Sequence, residues 1–354
     1  MELPAIFPQE LTAREWPARR AQLLELFQEQ VYGRTPGMDG VTCRCHREEA
    51  LALQDGQRWE AYRLFFEKDG RGCDLRFTVS LPAAAGALPC VLVLDSFSHN
   101  AAVACAGAHG EELAPRQLVT GCGWALVRVF VDDVCLDDAA LCRQGVLRML
   151  PGQGQSAWGA IGAWAWAASR VIDFLCADGR FDSGRIAVQG CSRSGKAALW
   201  CAAQDGRAAA VISTVSGCTG AAVTRGKTGE HVRDITGQFP HWLCPRYAGY
   251  ADREDQLPVD QHMLLALCAP RPLYVSSAAE DAWADPRKEF EACVLAGQAY
   301  RLLGAQGLAD EAFPPVDTPL CTGGIAYHVR TGAHGCRLYD WQQYLSFLAR
   351  HFEA

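Results

Sequence analysis

The 354-residue chain contains no Cys-x-x-Cys pair and no His-Glu-x-x-His. The first absence argues against zinc ribbons and thioredoxin-type redox sites, the second against a helical zinc hydrolase centre. An excess of positive charge is also lacking: 33 basic against 40 acidic residues leave a formal net charge of -7. No basic cluster stands out, so neither nucleic acid nor an anionic membrane is expected as a partner. No internal repeat, low-complexity tract or charged linker divides the chain. The longest apolar stretch, around Trp158 to Ala168, reads as too short and too rich in small residues to span a bilayer. The first residues, MELPAIFPQELTAREW, have no basic region followed by an apolar one, so no secretory signal is expected.

Cysteine, in contrast, is abundant, with 17 residues. The count is odd, which excludes complete internal pairing. A chain this long buries roughly three quarters of its unfolded surface and needs no disulfide framework. Cys90, Cys176, Cys191, Cys201 and Cys268 lie within apolar runs, where free cysteine acts as a small hydrophobe. Reduced packing thiols and no export signal point to the cytoplasm; removal of a signal peptide would instead mean export.

Residues 17–32 carry Leu23, Leu24, Phe27 and Val31 at helical spacing, and Gly33 and Pro36 end that helix. Residues 59–66 and 73–81 alternate like antiparallel strands. From residue 90 short apolar runs appear at 90–96, 124–131, 185–190, 209–214, 272–278 and 325–330. Runs this apolar read as strands buried on both faces. Helical patterns lie between them at 157–176, 193–205, 260–268, 285–303 and 338–352. Such alternation predicts an α/β fold, a mostly parallel sheet between helices. The expected organisation is one domain over 1–354. Its N-terminal helix and antiparallel edge strands occupy about 1–88, and its core about 89–354. Residues 217–258 read as a long loop near the sheet's carboxyl edge, where open α/β folds place ligands.

The strongest local signal is Arg185-Ile-Ala-Val-Gln-Gly-Cys-Ser-Arg-Ser-Gly-Lys196. A buried strand runs into Gly190-x-Ser192-x-x-Gly195 and then a helix. In such an elbow a nucleophile sits on a strained turn, and small residues must flank it. The second glycine comes one position later than in the usual G-x-S-x-G. The Arg193 N–H, just after the serine, would face a developing oxyanion. The bland alternative is that Ser192 merely caps the helix. Arg193 and Lys196 weigh against it, because cations are poor company for the positive end of a helix.

A serine nucleophile needs a base, and the base needs an acid. In α/β hydrolases the chain order is serine, acid, histidine. His334 lies in a glycine-flanked loop after the last strand and is the candidate base. His328 falls inside a strand, as a core or supporting residue. His351 is expected at the surface of the terminal helix, and His262 as a structural residue. Glu280, Asp281 and Asp285 follow the penultimate strand. Asp281 is the candidate acid, and Asp285, before Pro286, looks like a helix N-cap.

With these residues in view, the chain resembles the glucuronoyl esterases, carbohydrate esterase family 15, and their bacterial acetylxylan-esterase-like relatives. The resemblance rests on Gly190-Cys-Ser-Arg-Ser-Gly-Lys196, the tryptophan-rich Trp158–Trp166, Phe239-Pro-His-Trp242 and Leu257–Met263. It extends through Ala269-Pro-Arg-Pro272, Glu280–Pro286, Tyr327–His334 and the N-terminal Arg19–Gly33. It implies an α/β-hydrolase fold with Ser192 as nucleophile, His334 as base, and Arg193 giving both backbone and side chain to the oxyanion hole. Lys196, Glu230 and Trp283 would contact a uronic acid ring. Some members carry the acid as a glutamate after the strand that follows the nucleophile. Val215 stands there in this chain, which leaves Asp281. An Asn-Phe-x-Gly-Asn-like loop of relatives is Asp95-Ser-Phe-Ser-His-Asn100, so that wall of the site is expected to differ.

The expected activity is hydrolysis of an ester of (4-O-methyl-)glucuronic acid through an acyl-enzyme, with no metal and no cofactor. The partner would be a uronic-acid-containing carbohydrate ester or a xylo-oligosaccharide. Two alternatives stay open: an esterase that removes acetyl groups from sugars, and a catalytically silent sugar-binding homologue.

Overall fold

The structure is a computed structural model that describes residues 2–7, 10–53, 56–84, 86–96 and 114–352. Helix α1, Trp16–Phe27, continues as a single π-helical segment over Gln28–Tyr32. Leu23, Phe27, Val31 and Tyr32 are buried, as their spacing predicts. The helix stops at Gly33, whose φ is 84°. A Cβ there would stand 2.4 Å from the Trp158 backbone, so only glycine fits.

The strands are β1 (Thr42–Ala52), β2 (Arg58–Lys68), β3 (Arg71–Leu81), β4 (Leu88–Asp95), β5 (Ala125–Phe130), β6 (Phe181–Cys191), β7 (Ala210–Thr214), β8 (Leu273–Ala278) and β9 (Ile325–Arg330). The further helices are α2 (Arg116–Gly121), α3 (Val146–Met149), α4 (Ala160–Ala177), α5 (Arg193–Gln204), α6 (Val232–Gln238), α7 (Gln261–Ala266), α8 (Pro286–Leu302) and α9 (Leu338–Phe352). All nine strands form one sheet in the order β1-β2-β3-β5-β4-β6-β7-β8-β9. β4 to β9 run parallel; β1, β2 and β3 add an antiparallel edge. This is the expected mostly parallel α/β architecture.

Every residue of β4, β5, β7, β8 and β9 is buried. The reason is visible in β4. Cys90, Leu92 and Leu94 face one core with α1, α4, α5 and α8, while Val91 and Val93 face another with α2 and α9. The apolar runs are thus strands covered on both sides. Strand β1 has no such signature because all eleven of its residues are exposed, so no alternation marks it in the sequence.

Several expectations need correction. The apolar segment at 158–168 does not end at Ala168. Helix α4 runs to Ala177, and among the described residues it alone is long and apolar enough to cross a membrane. Two thirds of it lie buried inside the protein, which accounts for its apolarity. The 217–258 loop contains α6 and 3-10 turns at Pro245–Tyr250 and Glu254–Gln256. Each is too short to show a period. The segment is held by Arg225, whose guanidinium is 3.0 Å from Asp260 and also donates to the Val259 carbonyl. His351 is half-buried rather than on the surface, and its Nε2 donates to the Gly323 carbonyl at 3.2 Å. The cysteines are expected to be packing residues, but Cys43, Cys45, Cys122 and Cys176 are exposed.

One buried carboxyl ties the sheet's carboxyl edge together. Glu289, on the first turn of α8, is fully buried. It accepts hydrogen bonds from the Gly217 N–H at 2.9 Å and the Ser277 hydroxyl at 2.6 Å, joining the loop that follows β7 to the end of β8. Burial pushes its pKa up from 4.5 to about 7, against the opposing pull of those hydrogen bonds. A raised acid favours the fold most when protonated. Its stabilisation is full below about pH 4.5 and is lost as pH rises to about 7. Glu289→Gln removes that loss. Thermal unfolding of the two proteins should show the variant gaining on the wild type between pH 5 and pH 8, by no more than about 3 kcal/mol. An unchanged difference across that range would contradict the assignment.

Candidate active site

Ser192 sits between β6 and α5 with φ 60° and ψ −122°, a conformation costly for a non-glycine residue. Its N–H donates to the Thr214 carbonyl at 2.8 Å, and its carbonyl accepts from the Gly195 N–H at 2.9 Å. The side chain caps nothing. The helix-cap alternative therefore fails, and the hydroxyl is left for other work.

The two glycines have a physical reason. A Cβ on Gly190 would lie 2.0 Å from the Ser194 carbonyl oxygen, and one on Gly195 3.0 Å from the Ser216 Cβ. Strand and helix cross in direct backbone contact. The residue two past Ser192 can be serine because its hydroxyl turns away to Ser96, 2.8 Å distant. The late second glycine is therefore a packing requirement of this elbow.

Asp281 and His334 come from loops that continue the β8–β9 pairing. The Ala279 N–H donates to the Arg330 carbonyl at 2.8 Å, and the Glu280 N–H to the Gly332 carbonyl at 3.1 Å. Asp281 Oδ2 then lies 2.6 Å from His334 Nδ1. The imidazole is about half exposed, whereas the carboxylate is almost buried. Burial alone would raise the Asp281 pKa. The bond and charge of His334, the Ala284 N–H and the Lys196 charge overcome it and hold the carboxyl below its ordinary value. Asp285 caps α8 by accepting from the Lys288 N–H, as expected.

Arg330 and Asp340, which the sequence did not mark, shape the histidine loop. Arg330 donates to the carbonyls of Thr331, Ala333 and Gly335 and to Asp340 Oδ2 at 2.9 Å. Asp340 Oδ1 is 2.7 Å from His328 Nε2, and His328 Nδ1 meets the Tyr274 hydroxyl at 2.8 Å. His328 is therefore a buried supporting residue. His262, also buried, donates Nε2 to the Pro4 carbonyl at 3.0 Å.

The Arg193 guanidinium pairs with Asp137. It also lies over the rings of Phe239 and Trp242, 5.5 and 5.0 Å from their centroids. Lys196 is buried, and its Nζ donates to the carbonyls of Ser216 and Cys218. Its ammonium is 3.9 Å from Glu230 Oε2. Burial lowers the Lys196 pKa, with Glu230 and Cys218 opposing and Lys227 assisting. The Glu230 N–H donates to the Trp283 carbonyl at 2.9 Å, which ties the two segments together. Trp283 is 51% exposed, a large apolar face open to a ligand. Lys227, another residue the sequence did not single out, is 4% exposed, and its Nζ has no hydrogen-bond partner among the described residues.

Val215 is buried with φ 42°, a strained setting for a β-branched residue, and its N–H donates to the Ser276 carbonyl at 2.7 Å. It offers no carboxylate, so Asp281 is the acid within reach of His334. In the loop from Asp95 to Asn100, Asp95 pairs with Arg128, and residues 97–100 lie outside the described residues.

Comparison with known proteins bears on the family of this chain. The family model for glucuronyl esterases of fungi matches residues 66–304. A carbohydrate esterase of an unknown prokaryotic organism is 47% identical over 202 residues, covering 57% of this chain and 46% of that protein. A 4-O-methyl-glucuronoyl methylesterase of Podospora anserina is 28% identical over 305 residues, covering 82% of this chain and 57% of that protein. The chain thus spans about half the length of these curated relatives. Among solved structures, a glucuronoyl esterase from Solibacter usitatus superposes with a TM-score of 0.92 at 31% identity, covering 99% of this chain and 98% of that one. The strand order, the serine elbow and these matches together place the chain in the glucuronoyl esterase family, carbohydrate esterase family 15.

Proposed function

We propose that this protein is a serine esterase that hydrolyses esters of glucuronic acid. The observation that carries the reading is the 2.6 Å contact of Asp281 with His334 Nδ1, which leaves Nε2 as the proton acceptor for the strained Ser192. The attack forms a tetrahedral oxyanion beside the Arg193 N–H and guanidinium. Its collapse releases the alcohol and leaves an acyl-Ser192 ester. Water, activated by His334, then hydrolyses that ester. On the acyl side, Lys196 and Glu230 offer a buried donor and acceptor for ring oxygens, and Trp283 an apolar face. The first relatives' names are the second support, since both glucuronoyl and carbohydrate ester chemistry appear among them.

Ser192→Ala should abolish hydrolysis of benzyl glucuronate. Asp281→Asn should lower kcat by about 10³-fold or more, by analogy with the loss of other triad acids. Either variant at wild-type rate would refute the triad. The wild type should cleave benzyl glucuronate faster than acetylated xylose; faster acetate release would favour the acetyl-esterase alternative.

Trp283→Ala should raise KM for benzyl glucuronate by about tenfold, equal to about 1.4 kcal/mol of lost ring contact. Initial-rate kinetics on the sugar ester and on phenyl acetate would check this. An equal effect on phenyl acetate, which has no sugar ring, would count against a sugar-contacting role.

A further inference from the structure

We propose that Asp137 is a positioning residue that fixes the Arg193 guanidinium in the oxyanion site. The inference rests on the esterase reading above and deepens it.

Asp137 follows β5, 56 residues before Arg193 in the chain. One of its oxygens pairs with Arg193 Nη1. The other accepts from His241 Nε2 at 2.9 Å and Trp242 Nε1 at 2.6 Å. The carboxylate is nearly buried, with 11% of its side chain exposed. Burial would raise its pKa, but the His241 and Trp242 bonds and the Arg193 charge hold it low, so it carries full charge.

The surroundings are rigid. Trp242 and Phe239 stack at 3.9 Å, and both rings lie against the guanidinium. The carbonyls of His241 and Trp242 accept from the Ala160 and Ile161 N–H groups, at the start of α4. A Cβ on Gly159 would collide with the Trp242 carbonyl at 2.4 Å. On the Asp137 side, the Cys135 carbonyl accepts from Trp164 Nε1 at 2.8 Å. Both loops that grip Arg193 are therefore fastened to one buried helix.

A guanidinium on a flexible stem can take many rotamers. Stabilisation of a transition-state charge works best from a donor already in place. Asp137 supplies that placement from behind and touches no substrate. Its removal should therefore weaken transition-state binding and leave substrate binding nearly intact.

The test is Asp137→Asn, which keeps the shape and removes the charge. We expect kcat to fall about 10–100-fold and KM to change less than about threefold. In an Arg193→Gln background the same substitution should cost less than about twofold, because there is no guanidinium left to place. Rates would be read on benzyl glucuronate, on phenyl acetate, and as Ser192 labelling by a fluorophosphonate, whose attack also develops an oxyanion. A kcat within twofold of wild type, or an equal loss with and without Arg193, would overturn the proposal. If Asp137→Asn does not fold, Trp242→Phe removes one donor to the carboxylate while keeping a ring, and the same comparison applies. A wild type active on phenyl acetate but not on the glucuronate would sink the substrate reading and leave this test standing. Absence of any Ser192 labelling would sink both.

Discussion

The crossing of β6 with α5 is the constraint on which the site depends. Backbone meets backbone there: Gly190 under Ser194, and Gly195 against the Gly190 carbonyl. No side chain can be inserted on either side, so the turn between them must be sharp. Ser192 takes the strain in a positive φ, held by its N–H bond to Thr214 and by the helix that its own carbonyl starts. The hydroxyl is presented because the backbone leaves it no helix-capping geometry. Arg193 and Lys196 follow within one turn, which fixes where their side chains begin.

Two further groups of loops are brought to this elbow by different means. Asp281 and His334 stand on a backbone ladder that extends β8 and β9 beyond the sheet. Arg330 and Asp340 then fold the histidine loop around a buried ion pair, and His328 and Tyr274 complete its hydrogen bonds. Such a pair contributes little net stability by itself. Its worth is that three loop carbonyls and both Asp340 carboxylate oxygens receive fixed donors, so the histidine loop has a defined place.

Around the loop at 216–230, charge is buried in quantity. Lys196, Lys227, Glu230 and Glu289 all lie beneath the surface near the loop at 216–230. Burying ionic groups is costly unless partners are near. Lys196 meets the cost with two carbonyls and Glu230, and Glu289 by titrating near neutrality. A core built only for stability would not hold these groups. Trp283, whose carbonyl accepts from the Glu230 N–H, adds an exposed apolar ring beside them.

The sequence by itself determined the strand–helix alternation, the elbow at Ser192, and the order of serine, acid and histidine. Each is a local pattern: apolar runs covered on both faces, glycines at a turn, polar residues just past a strand. The family resemblance left Asp281 as the candidate acid, because Val215 stands where some members carry a glutamate. Strand β1 was silent because an exposed edge strand has no buried face to alternate with. Only the tertiary structure decided the partners of those residues. Asp137 meets Arg193 across 56 residues and His241 across 104, and no periodicity links positions so far apart. No local pattern singled out Arg330 and Asp340, which pair only because the end of β9 meets the first turn of α9. Nor could the sequence show that the Lys196 ammonium lies buried, bonded to the carbonyls of Ser216 and Cys218. Hydrophobic period is written along the chain, whereas the pairing of buried charges is set by which loops the sheet brings to one edge.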